Sequence, residues 1–274
     1  MNIRTPRFLF LLVLLPFVVH AQDSSVTVCH EQARLGRFFD AHAAVGTFLL
    51  LDLRADTAVC FGKDRLNERN LPASTFKIFN SMAALDAGAI ADETTVLKWD
   101  GIDRGNAGWN QDQDMRTAFR NSTVWFYQEL ARRIGEQRMQ EFVRREHYGN
   151  EEISGGIDRF WLGGGLRISV TEQVEFVRKV YLHRLGFSER AQCIVNDIML
   201  LEQGSAGTLR AKTGWTEERG EQVGWFVGYI ERQRDVFLFA MKLASMDVAF
   251  PMRQARAEIL RDLLRDCGMG EWHL

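Results

Sequence analysis

The sequence predicts an α/β fold of the α+β kind: an antiparallel sheet with helices on both faces, beside a mainly helical lobe. Three observations carry this. Strand-forming runs cluster near the two ends of the chain, at 46–62 and 208–243. The stretch between them, about 63–207, is patterned as helix, and one amphipathic helix, about 251–267, closes the chain. Strands interrupted by a long helical insertion and followed by a final helix assemble one sheet with both faces covered.

In chain order, "GTFLLLDL" (46–53) and "TAVCFG" (57–62) flank a short Arg-Ala-Asp turn and read as a hairpin. Residues 72–86 carry Phe76, Ile78, Phe79, Met82, Ala83, Ala84 and Leu85. Being apolar nearly all round, this helix is predicted to be buried. Ser169 and Glu172 form a capping box ahead of Val174, Val177, Val180 and Tyr181. A further helix is predicted from Ser188 to Gly204. "LRAKTGW" (209–215), "QVGWFVGYI" (222–230) and "DVFLFAMKL" (235–243) are strands, the last two joined through "ERQR". Those two are apolar on both faces and should lie centrally. In the last helix Ile259, Leu260, Leu263 and Leu264 form the apolar side, with Arg256, Arg261 and Arg265 on the polar side.

The first 21 residues read as an address. Arg4 and Arg7 precede "FLFLLVLLPFVVHA", too short a run for a membrane span, so cleavage is expected after Ala21. Residues 22–274 would be an exported chain with no membrane anchor, long enough for one large domain or two small ones. Losing two arginines and no acids moves the net charge from −2 to −4. That mild acidity leaves no footprint for nucleic acid. With 46% hydrophobic and 26% charged residues the composition is that of a globular protein. Cys29, Cys60, Cys193 and Cys267 show no regular spacing, so their pairing stays open. The six histidines pair with no carboxylate at metal-ligand spacing, and no metal is expected.

The chemistry sits in three short motifs. "PASTFKIFN" (72–80) sets Ser74 and Lys77 one turn apart in an apolar run. Burial without a carboxylate lowers a lysine's pKa, and a neutral amine beside a hydroxyl can act as its general base. The alternative is a helix cap with a surface lysine. Ser122-Thr123-Val124 precedes an aromatic run, where it could equally be an N-cap. Lys212-Thr213-Gly214 lies on a late strand, where the glycine permits close backbone approach; a plain lysine-bearing turn is the other reading.

Taken together and in this order, S-x-x-K, S-x-V and K-T-G are the parts of penicillin-recognising serine enzymes. The chain has S-T-V where class A enzymes have S-D-N, lacks their glutamate motif, and carries "HYGN" (147–150) and "FWLGGGLRIS" (160–169). With these it resembles the class D, oxacillinase-type serine β-lactamases, over about residues 30 to 265. The resemblance implies a β-lactamase/transpeptidase-like five- to seven-stranded antiparallel sheet and hydrolysis of the β-lactam amide bond, giving antibiotic resistance. It implies Ser74 as the acylated nucleophile and Lys77 as the general base, carbamylated by carbon dioxide in a pocket lined by Phe76, Val124 and Trp161. Trp161 would donate its indole N–H. Ser122 would relay a proton to the lactam nitrogen, and Lys212 would supply positive potential. The backbone N–H groups of Ser74 and Trp215 would form the oxyanion hole. Thr213, Gly214, Trp215 and Arg253 would bind substrate. Tyr148-Gly149-Asn150 is either a structural turn or a catalytic element. No cofactor besides carbon dioxide is implied, β-lactams are the expected partners, and the chain would be a monomer or homodimer. Two rivals share the motifs: a β-lactam receptor and a cell-wall transpeptidase or carboxypeptidase.

Overall fold

The computed structural model describes Met1 and residues 29–274; the predicted signal peptide lies outside the described residues. Seven strands form a single sheet in the order β1-β3-β2-β7-β6-β5-β4. They are β1 (Cys29–Glu31), β2 (Val45–Asp52), β3 (Thr57–Phe61), β4 (Leu200–Gly204), β5 (Gly207–Glu218), β6 (Glu221–Arg232) and β7 (Asp235–Ser245). The helices are α1 (Gly36–Asp40), α2 (Lys77–Asp86), α3 (Met115–Arg120), α4 (Val124–Ile134), α5 (Glu136–Arg145), α6 (Val170–Tyr181), α7 (Glu189–Ile198) and α8 (Met252–Asp266). No helix among the described residues is long and apolar enough to cross a membrane.

The α+β architecture is as expected, and β6 and β7 lie inside the sheet. Each has one face in each of two cores. Trp225, Tyr229 and Leu238 pack toward the helical lobe with Phe76, Phe79 and Tyr148. Phe226, Phe239 and Met241 pack toward α8 and α1 with Leu260, Leu264 and Phe39. This two-sided burial explains why neither strand alternates apolar with polar.

Two expectations fail. The sheet is not wholly antiparallel, because β1 runs parallel to β3. Three residues are too few to show a strand period, so β1 is specified by its partner. The helix from Ser188 stops at Ile198 rather than Gly204, and "LLEQG" turns back as β4 to pair with β5 from Leu200↔Arg210 to Gly204↔Gly207. Leu200 and Leu201 continue the apolar stripe in the sequence, yet here they are 43% and 50% exposed. Hairpin pairing across the Ser205-Ala206 turn outweighs a helical period that would bury nothing further.

Cys29 and Cys60 join β1 to β3 in a disulfide, while Cys193 and Cys267 are free thiols. The bridge spans 31 residues. Closing a loop of that length in the unfolded chain is worth roughly 3–4 kcal/mol. Thiol titration of the denatured, unreduced chain should therefore find two thiols. Cys29→Ala should lower the unfolding free energy by about 3 kcal/mol; four titratable thiols, or an unchanged urea midpoint, would contradict the bridge.

Candidate active site

Ser74 lies in a tight turn, Ala73–Phe76, that leads directly into α2. Ala73 has φ 49°, a left-handed conformation that an alanine adopts only when its surroundings impose it. The imposing contacts are on both sides. Ala73 donates its N–H to Trp161 O at 3.0 Å. The preceding Asn70-Leu71 is tied to four elements: Asn70 bridges Ile168, Lys242 Nζ donates to Asn70 Oδ1 at 2.8 Å, Trp225 Nε1 donates to Leu71 O at 2.9 Å, and Leu71 N–H donates to Glu218 Oε2 at 3.1 Å. Sheet and lobe thus position the serine jointly.

Lys77 is fully buried, and its Nζ lies 2.7 Å from Ser74 Oγ. Among the described residues it ion-pairs with no carboxylate, so burial pulls its pKa down from 10.5 to about 7. It is therefore no surface lysine, and the Ser74 side chain makes no cap. The walls are aromatic. Phe76 stacks on Trp161 at 5.4 Å, and the Tyr127 ring centroid is 5.3 Å from Lys77 Nζ. Val124, half-buried, opens α4.

Ser122 also has a left-handed backbone, φ 55°. It presents Oγ to Lys212 Nζ at 3.1 Å. The neighbouring Thr123 occupies the N-cap position of α4 but spends its hydroxyl on Gln113 Oε1, 2.7 Å away, and no side chain caps the helix. The N-cap reading of this motif fails for that reason. Lys212 is buried, and its pKa is well below the usual lysine value because of burial first and then the positive charges of Lys77 and Arg256.

The outer edge of β5 is only half covered. β4 pairs with it up to Arg210, while β6 pairs with it throughout. Gly214 permits the approach of β5 to the serine turn: a Cβ there would sit 2.9 Å from Pro72 O. Thr213 and Trp215 face the α8 side, lining a cavity of about 940 Å³ with Lys212 and Arg253. Trp215 is 51% exposed, and its Nε1 donates to Gln222 Oε1 at 3.0 Å. Arg253 is exposed at the start of α8. Hydrogen bonds thus bring Ser74 to Lys77 and Ser122 to Lys212, and Lys212 shares the cavity with Thr213, Trp215 and Arg253, whereas Ser74, Lys77 and Ser122 do not line that cavity.

One residue was misread. Arg256 is not on the solvent side of α8: it is 8% exposed and donates from Nη1 to Gly214 O at 2.5 Å. Burial, followed by the charge of Arg253, lowers its pKa to about 10. The only sequence signal was its place one turn after Arg253, and helical polarity pointed the other way.

Tyr148-Gly149-Asn150 has a structural task. Gly149 has φ 58°, and a Cβ there would lie 2.1 Å from Arg167 O. Asn150 Oδ1 accepts from Arg167 N–H at 2.8 Å, and its Nδ2 donates to Gly165 O at 2.9 Å, tying this turn to the segment after Trp161. Tyr148 is buried, with its phenol held protonated by burial. Gly149→Ala should cost about 2 kcal/mol or more, from left-handed strain plus the carbonyl clash; an unfolding midpoint equal to that of the native chain would show that the turn tolerates a Cβ.

Comparison with known proteins identifies the family. The penicillin binding protein transpeptidase domain family matches residues 54–265. The β-lactamase OXA-48 of Klebsiella pneumoniae is 45% identical over 205 residues, covering 75% of this chain and 77% of its own. The chain belongs to the class D β-lactamases. Its enzyme class is accordingly hydrolase. Among solved structures, the class D β-lactamase YbXI from Nostoc superposes with a TM-score of 0.81 at 41% identity, covering 86% of this chain and 99% of its own. The C-terminal domain of the Bacillus licheniformis BlaR penicillin-receptor, at 32% identity and TM-score 0.83, shares the class D architecture over 88% of this chain and 97% of its own.

Proposed function

We propose that the chain hydrolyses the amide bond of β-lactam antibiotics through an acyl-enzyme on Ser74. The observation that carries this is the 2.7 Å contact of Ser74 Oγ with a fully buried Lys77 that has no carboxylate partner among the described residues. An amine with a pKa of about 7 is neutral in a substantial fraction near neutral pH, and in that form can take the serine proton as Oγ attacks the lactam carbonyl. Backbone N–H groups of Ser74 and Trp215 stabilise the tetrahedral oxyanion. Ser122, hydrogen-bonded to Lys212, hands a proton to the departing lactam nitrogen. Thr213, Gly214, Trp215 and Arg253 hold the substrate, its carboxylate against Lys212 and Arg253. Water then attacks the ester and releases the opened product.

The pocket also suits carbon dioxide. The amine is buried with its pKa lowered to about 7, the Tyr127 ring centroid lies 5.3 Å from its Nζ, and the side chains expected to line the pocket, Phe76, Val124 and Trp161, are largely apolar. Bound to Lys77 as a carbamate, carbon dioxide would supply a carboxylate-like oxygen base for both steps. Trp161 would hold that group with its indole N–H. We also assign residues 1–21 to a cleaved signal peptide and the mature chain to the periplasm.

The likeness to a penicillin-receptor domain favours a second reading, acylation without release. A chromogenic cephalosporin separates the two. Sustained colour over many turnovers is expected; a burst of one equivalent that then stops would mean a receptor.

A further inference from the structure

The 940 Å³ cavity beside β5 carries more positive charge than one substrate carboxylate requires. Its walls include Arg116, Arg120, Lys212, Arg253, Arg256 and Arg261, against the acidic side chains Asp197 and Glu258. Arg116 is engaged by Asp197 at 2.5 Å and Glu93 at 3.1 Å, and Glu258 lies 3.7 Å from His42. Among the described residues Arg120, Arg253, Arg256 and Arg261 have no carboxylate within ion-pair distance. This concentration of cations occurs in a chain whose net charge is −2.

Arg256 makes the feature more than a surface patch. It is more than nine-tenths buried, its Nη1 is fixed on Gly214 O, and its Nε has no hydrogen-bond partner among the described residues. A buried guanidinium with no counter-charge and an unsatisfied N–H is costly unless an anion compensates it. Arg253, Ala257 and Arg261 recur every four residues on α8, so one helix face presents two arginines to the cavity, with Arg256 beside them. Arg120 reaches the same cavity from the end of α3.

From this arrangement we infer a second anion subsite, one that takes an acidic substituent on the β-lactam ring system next to the carboxylate-bearing carbon. The inference rests on the proposed function. If the lactam carbonyl meets Ser74 and the ring carboxylate meets Lys212 and Arg253, the adjacent ring substituent points into the cavity. A neutral substituent leaves Arg120, Arg256 and Arg261 without an anionic partner, a basic one is repelled, and an acidic one is held by charge-assisted hydrogen bonds. Dianionic β-lactams are thereby the preferred substrates.

The test uses a matched pair of cephalosporins, identical except that the C3 substituent ends in a carboxylate or in its neutral amide. The native enzyme should show KM about tenfold lower for the acid, the effect of one charge-assisted hydrogen bond. At 1 M salt the ratio should fall toward one, because screening then acts over about 3 Å. In the Arg120→Ser/Arg261→Gln double variant the ratio should also fall toward one, with the amide's kcat and KM within about twofold of native. Should that variant fold poorly, the salt series on the native enzyme decides alone. Turnover of both substrates with equal KM overturns the subsite while leaving the proposed function standing. Turnover of neither overturns the proposed function, and the subsite with it.

Discussion

Ser74→Ala should reduce β-lactam turnover by roughly six orders of magnitude, the scale on which a serine nucleophile is lost when its hydroxyl is removed. The reason is local. The hydroxyl 2.7 Å from the buried Lys77 amine is the expected attachment point of the acyl group, and Ser122, a second hydroxyl of the site, is directed at Lys212. The variant should keep its fold, since Ser74 Oγ caps no helix and its loss merely frees one amine contact. Intact mass after incubation with a penicillin is the measurement. The native chain should gain one penicillin mass transiently and the variant none; an adduct persisting in the variant would place the nucleophile elsewhere.

Lys77→Ala should lower turnover by about 100- to 10,000-fold, the range of general-base catalysis, with a much smaller effect on binding. The native enzyme should also carry an acid limb set by Lys77. Its pKa is depressed to about 7, so the amine is neutral above that pH and charged below it. A charged amine can neither accept the serine proton nor combine with carbon dioxide. Activity should therefore fall as pH drops through about 7, and added bicarbonate should restore it most where the neutral fraction is small. Initial rates from pH 5 to 9, with and without bicarbonate after acid stripping, check both points. Rates indifferent to bicarbonate, together with a Lys77→Ala variant near native turnover, would remove Lys77 from the mechanism.

Several features were legible in the sequence because they depend on neighbours along the chain. The Ser169/Glu172 capping box, the continuous apolar runs of β6 and β7 and the buried α2 all follow from local hydrogen bonding and periodicity. The Ser74-Lys77 pairing was legible for the same reason, since one turn of helix suffices to place both side chains on one side. Ser122 and Lys212 are 90 residues apart, and only the order of the motifs hinted at their meeting.

What the tertiary structure alone decided depends on partners distant in sequence. β1 is a strand only because β3 offers it an edge, and "LLEQG" left the helix of α7 because β5 offers it a ladder. Gly149 turned out to be demanded by the carbonyl of Arg167. Arg256 shows the limit most clearly. Its helical position put it on a polar face, but the cavity under Gly214 draws the guanidinium inward, where a backbone carbonyl 42 residues away accepts its proton. Periodicity reports which face of a helix is apolar; whether a long cationic side chain on the margin of that face meets water or a buried acceptor is set by what packs beside it.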